Sequence, residues 1–166
     1  TREDAMTTDD TLSQQDVVQK LRDADLVMLT TTLPDGKLLS HPMSIQGVSE
    51  DADVWFFVSL HGGQAEALRS GSQVNLAVSD AGSWLSVAGE AGFVEDRALV
   101  EQLWNDRAES YFPGGTDDPD LGLLRVSGES AQFWGMPGGK VAGLAQIIKA
   151  KATGEQAPGG TGTTQL

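Results

Sequence analysis

The chain contains no cysteine. Disulfides, thiolate metal sites and cysteine nucleophiles are therefore excluded, and thiol usage says nothing about the redox compartment. Cations are scarce: 11 Lys and Arg stand against 24 Asp and Glu, a formal net charge of -13. So anionic a molecule is repelled by nucleic acid and by anionic membrane surfaces, and neither is expected as a partner. No apolar run approaches the roughly 20 residues of a membrane span. The opening TREDAMTTDD is acidic and polar and does not read as a signal peptide. By elimination, a soluble cytoplasmic protein is expected. The only histidines are His41 and His61. Nothing like HExxH is present, and DDPD (Asp117–Asp120) lacks the ligand spacing of a calcium hand, so no metal site is expected. DDPD reads instead as a turn. PGGK (Pro137–Lys140) lacks phosphate-loop spacing and reads as the start of a helix. GxSxG is absent too, and no serine has an evident base, so catalytic residues stay unassigned. Chemistry would then have to come from a bound cofactor.

What is there is ordinary globular material: 166 residues, 39% hydrophobic and 21% charged. One domain with a sizeable core follows. Residues 1–10 read as a disordered acidic arm, 11–155 as the folded domain, and 156–166, ending in GGTGTTQL, as a flexible tail. There is no internal repeat. TLSQQDVVQKLRDAD has helical spacing, with Ser13 as a cap. LVMLTTT, the turn signal PDG and KLLSHPMSIQGV read as a hairpin, and Pro42 places its second strand at an edge or bulge. VWFFVS reads as a strand buried on both faces. GGQAEALRSG is a short helix closed by Gly71. SQVNLAVS and SWLSVAGEAGFVE are strands, the second bending at its glycines. DRALVEQLWNDRAES is read as one amphipathic helix, YFPGGTDDPDLG as a loop, and LLRVSGESAQFWGM as the last strand or strand pair. GGKVAGLAQIIKAKATGE is read as a C-terminal helix. Strands that follow one another through turns argue against parallel βαβ architecture. The expected fold is mainly β with peripheral helices, a six-stranded antiparallel barrel.

The combination of HPMSIQ, VWFFVSLHGGQ, SVAGEAGFVEDRALVEQLW, YFPGGTDDPDLGLLRV and AQFW resembles the FMN-binding split-barrel superfamily that includes pyridoxine 5'-phosphate oxidase. Within it the chain looks most like the general stress protein 26 group, over roughly Leu12 to Glu155. The resemblance implies a split β-barrel homodimer with FMN at the subunit interface, and a flavin-dependent oxidoreductase working by hydride transfer. It also implies that Ser40, His41, Pro42 and Met43 line the flavin ring, that Phe57, Val58 and Ser59 run along the ribityl chain, and that the turn at Gly63 and Gln64 meets the phosphate. Relatives often carry Arg and Lys at those last two positions and an arginine where His41 stands. This chain departs from the pattern where charge matters most.

The stretch SLHGGQAEAL (Ser59–Leu68) therefore has two readings. It is an anion site built from the backbone N–H groups of residues 61–64, Ser59, the Gln64 amide, the His41 imidazole and a helix end, or a turn that holds nothing. The corresponding functions are an FMN oxidoreductase, or a non-enzymatic flavin-binding or cofactor-free dimer on the same fold. A deazaflavin-dependent reductase is a third reading, although that cofactor's long anionic tail calls for cations this chain lacks. Tetrapyrrole binding has little beyond two histidines to support it. A flavin or other phosphate-bearing small molecule is the expected partner. Trp55 reads as core, and Trp104 and Trp134 as interface or cofactor neighbours.

Overall fold

A computed structural model describes residues 12–80, 82–135 and 160–166. Helix α1 (Gln14–Asp23) begins at the Ser13 cap that its sequence predicts. The Asp16 N–H donates to Ser13 Oγ at 3.1 Å, and the Ser13 N–H donates to the Asp16 carboxylate at 3.0 Å. This capping box satisfies two N–H groups that the first turn leaves without helical partners. Val17, Val18 and Leu21 form the buried stripe.

Strands β1 (Leu26–Thr32) and β2 (Leu38–Ser44) form the expected hairpin. At its turn the Leu33 N–H donates to the Lys37 carbonyl at 2.7 Å. Strand β2 lies at one end of the sheet, where Pro42, lacking an N–H, does least harm. The remaining strands are β3 (Gly47–Val48), β4 (Asp53–Ser59), β5 (Gln73–Asp80), β6 (Ser83–Val94), β7 (Leu121–Gly135) and β8 (Gly160–Gln165). All pairings are antiparallel, in the order β2-β1-β5-β6-β7-β4-β3, with β8 on β7. The two ends of this path, β2 and β3, are joined by two residues of chain, so the sheet curls back toward itself as a half-barrel.

Two expectations change. The path holds seven strands with an eighth beside it, not six. One added strand is too short to show a pattern. The other, β8, lies in the segment read as a flexible tail. Its reason for pairing is nonlocal: β4 covers β7 only over Leu121–Ser127, and β8 takes up the same strand over Ser130–Gly135. An exposed edge of backbone donors and acceptors on β7 is thereby covered. The predicted single helix over 96–110 is also two: α3 (Arg97–Leu103) and α4 (Asp106–Tyr111). Trp104 closes the first and Asn105 caps the second, its side chain accepting from the Ala108 N–H at 3.0 Å. The predicted C-terminal helix lies outside the described residues. Helix α2 (Gly63–Ser70) and its closure at Gly71 are as expected. None of the described helices is long and apolar enough to cross a membrane.

The sheet separates two apolar clusters. The main core contains Leu29, Phe56, Leu76, Val87, Leu124 and Val126, all without solvent exposure. The second contains Phe57, Ala108, Phe112 and Leu123, covered by half-buried residues of α3 and its flanks. Paired residues of β4 and β7 alternate between them: Phe56 and Leu124 face the first, Phe57 and Leu123 the second. Hence VWFF is apolar without a break, as a strand covered on both faces must be. Strand β6 bends at a bulge between Ala88 and Gly89. A side chain at Gly89 would place its Cβ 2.4 Å from the Ser127 carbonyl, so glycine is needed for the close approach.

Candidate functional site

Where β2 and β4 end, beside α4, lies a cleft of about 430 Å3. That size suits a small-molecule site. Strand β2 contributes Pro42, Met43 and Ser44, and β4 contributes Phe57, Val58 and Ser59. Gln64 lies on the α2 side. Opposite stand Arg107, Ala108 and Tyr111 of α4, with Phe112, Gln46 and Asp120 completing the wall. The lining combines apolar surface with a few polar groups: a guanidinium, two amides, two hydroxyl-bearing serines and a carboxylate.

Six of the nine sequence-derived candidates, Pro42, Met43, Phe57, Val58, Ser59 and Gln64, line this one cleft. Two sequence segments separated by a turn and a short strand converge because the curl brings β2, at one end of the strand path, toward β4, next to last at the other. The Gln64 amide is fixed on the Met43 sulfur at 3.4 Å. The other three lie elsewhere. Ser40 shares a hydrogen bond of 2.7 Å with Thr30 across the hairpin. His41 pairs with Leu29, on the buried side of β1. Its Nε2 is buried, with no hydrogen-bond partner among the described residues. Gly63 is exposed, the first residue of α2, after Gly62, whose φ of 95° is costly for other residues.

The turn after β4 is occupied by its own hydrogen bonds. Ser59 Oγ donates to Asp120 Oδ2 at 2.7 Å and accepts from the His61 N–H at 3.2 Å. The His61 imidazole Nδ1 bonds the other Asp120 oxygen. The Ser59 hydroxyl first, then the His61 imidazole, hold the Asp120 carboxyl below the ordinary carboxylate range. An ionised carboxylate thus sits at the foot of the glycine turn. Arg69, the first cation after the turn, donates to the Leu60 carbonyl at 2.6 Å and lies over the Phe93 ring. His61 is bound to a partner, although its side chain is 80% exposed.

DDPD is a turn, and its acids are engaged. Asp118 accepts from the Gly114 and Asp120 N–H groups at 3.0 and 2.9 Å, and Asp117 pairs with Arg97. Among the described residues no three His, Asp or Glu side chains are grouped as metal ligands.

Sequence reasoning missed Arg107, Tyr111, Ser44, Gln46 and Asp120. Arg107 lies within the segment read as one helix, and nothing local marks it as facing β2. A second hollow, of about 380 Å3, adjoins the cleft, sharing Leu26 and Pro42 with it. Its other residues include Met28, Trp84 and Trp134. Leu26 is 57% exposed, Trp84 46% and Trp134 39%. Trp84 and Trp134 are cross-strand partners on β6 and β7. Trp55 and Trp104 instead pack on the second cluster, Trp104 5.6 Å from Phe57 between ring centroids.

The fold is thus a curled antiparallel half-barrel with a cleft near its joined edges. The chain belongs to the pyridoxamine 5'-phosphate oxidase-like family, whose sequence model matches residues 13–158. The protein bli-3 of Neurospora crassa is 29% identical over 142 residues, covering 79% of this chain and 68% of its own. A crystal structure described as a general stress protein 26 from Jannaschia sp. CCS1 superposes with a TM-score of 0.71 at 26% identity, covering 89% of this chain and 94% of that one. The general stress FMN/FAD binding protein of Xanthomonas citri gives a TM-score of 0.63 at 30% identity, covering 74% of this chain and 87% of its own.

Proposed function

We propose that this chain binds FMN in the cleft between β2, β4 and α4 and acts as a flavin-dependent oxidoreductase in a homodimer. The observation that carries the reading is the convergence of Pro42, Met43, Phe57, Val58, Ser59 and Gln64 on one cleft, in a family whose relative from Xanthomonas citri is described as FMN/FAD binding. The residues fit a flavin ring. Pro42, Met43, Phe57 and Val58 give an apolar bed, and Gln64 and Gln46 offer amides that hydrogen-bond ring edges. Bound FMN would supply reversible hydride transfer, and the protein would supply orientation and exclusion of water. Dimerisation is supported by the exposed apolar face of Leu26, Met28, Trp84 and Trp134, which runs into the cleft through Leu26 and Pro42. Such a face asks to be covered, and a second copy covering it would also close the cleft.

The test is titration of the purified protein with FMN, followed by quenching of flavin fluorescence, with sedimentation to give the mass. Saturable binding near one flavin per chain in a dimer is expected. A chain that quenches neither FMN nor riboflavin ends the reading.

A second reading is a non-enzymatic or cofactor-free dimer. It is favoured by one observation: the glycine turn presents the Asp120 carboxylate where a phosphate would want a cation. Under that reading, Gly63→Arg combined with Gln64→Lys raises FMN affinity sharply over the native chain. An unchanged affinity counts against it.

A further inference from the structure

We infer that the anion-binding group of the cleft is Arg107, reaching in from α4, and not the glycine turn after β4. The inference rests on the flavin reading of the same cleft and names the group that would hold the ligand's phosphate.

Three observations carry it. First, the polar side chains of the turn are engaged with one another, so that only the uncapped backbone N–H groups at the start of α2 are left there for an anion. The Ser59 hydroxyl is donated to Asp120, and the His61 N–H is donated to Ser59. The carboxylate that receives the first bond is held ionised, so an incoming phosphate there meets a like charge. Second, Arg69 is taken up by the Leu60 carbonyl and the Phe93 ring. Third, Arg107 is the one cation among the described residues that line the cleft. Its only hydrogen bond among them is a long one, 3.4 Å from Nη1 to Ser44 Oγ, and none of their carboxylates pairs with it. In a chain of net charge -13, an arginine facing a cleft without an acid partner is a group whose counter-charge is still to come.

The chemistry suits the assignment. A guanidinium offers a planar fork of donors that meets two phosphate oxygens at once. Ser44, already against Arg107, adds a hydroxyl beside the fork. Asn105 holds Gln46 on the same wall through a 2.6 Å bond to its carbonyl oxygen, which fixes α4 relative to β2. The ligand class is a small molecule bearing a phosphate. That phosphate belongs either to the flavin itself or to a separate phosphorylated substrate.

The experiment measures the affinities of FMN and of riboflavin, which lacks the phosphate, for the native protein, Arg107→Gln and Arg107→Lys. The side chain is exposed, so unchanged thermal melting is the check that the variants fold. If Arg107 takes the flavin's phosphate, Arg107→Gln weakens FMN about 10- to 100-fold, the size of a charge-assisted hydrogen bond. Riboflavin changes less than about twofold, Arg107→Lys recovers part of the loss, and FMN affinity loses its salt dependence in Arg107→Gln. If the phosphate belongs to the substrate, both flavins bind all three proteins alike. Pyridoxal 5'-phosphate then binds the flavin-loaded native protein and is weakened by the same factor in Arg107→Gln. Native protein that binds flavin, with neither FMN nor pyridoxal 5'-phosphate weakened selectively in Arg107→Gln, overturns the assignment and leaves the flavin reading standing. Native protein that binds no flavin overturns both.

Discussion

The two faces of the β4–β7 pair are built to different standards. On one face Phe56 and Leu124 lie in a cluster built from six strands, α1 and α2. On the other, Phe57 and Leu123 are covered by two short helices, of which α3 has no buried residue and α4 only Ala108. Leu99, Val100, Leu103 and Trp104 pack there only half-buried. The first face has little freedom, because a side chain surrounded by packed neighbours cannot shift alone. The second face opens directly into the cleft, through Phe57, Ala108 and Phe112. A binding site belongs on the less closed face. Short helices held by a few half-buried contacts open more readily than core strands, and ligand-binding segments are drawn from that low-stability end.

Substitutions on the two faces should separate these roles. The largest effect is expected from Phe56→Ala, which leaves a void in a closed core and should cost about 3–5 kcal/mol in urea unfolding, with flavin affinity unchanged in whatever fraction stays folded. Phe57→Ala removes the same chemistry from the looser face. Its neighbours can settle inward, so a loss at the lower end of that range, about 3 kcal/mol, is expected, now with weaker flavin binding. Equal losses at the two positions would dissolve the distinction. Asn105→Ala removes the cap between α3 and α4, worth about 1 kcal/mol. Faster amide exchange confined to α4 is the expected signature, and a uniform increase across the strands would contradict it.

The smallest effect concerns the Ser59–His61–Asp120 bonds. The folded Asp120 carboxyl lies below its ordinary 3.8. Its contribution is therefore complete above that value and is lost as pH falls through the lower folded one. The stability gap between the native chain and Asp120→Asn should accordingly shrink on acidification below about pH 4. The group is exposed, so the gap is small. A gap that widens in acid would show that the carboxylate is not stabilised by its partners. Asp120→Asn also removes the like charge at the glycine turn. Whether FMN affinity then rises sharpens the contrast between that turn and Arg107.

The elements with local causes were legible. Ser13 and Asp16 set the start of α1, Pro34, Asp35 and Gly36 the first hairpin, and Gly71 the end of α2. The unbroken VWFF run announced a strand covered twice. Asn105 was misread because an amphipathic period continues across it; its capping role becomes visible only when Trp104 packs on Phe57 and turns the chain. β8 had no local signal at all, since glycine and threonine with no alternation read as tail. It exists because β7 outruns β4 and leaves backbone groups to be paired.

For the cleft, the strands carrying Pro42, Met43, Phe57, Val58 and Ser59 were visible as strands, and the resemblance singled them out as candidates. The absence of lysine and arginine at Gly63 and Gln64 was plain in the chain itself. What the amino-acid order determined is therefore which strands form, the alternation of their faces, and the shortage of cations at the turn. Each depends on residues a few positions apart. Only the folded chain brought Asp120 to Ser59 and His61, and Arg107 to Ser44. Those partners are about 60 residues apart, and the curl of the sheet, set by burying apolar faces with no regard for charge, decided which lone cation would face the site.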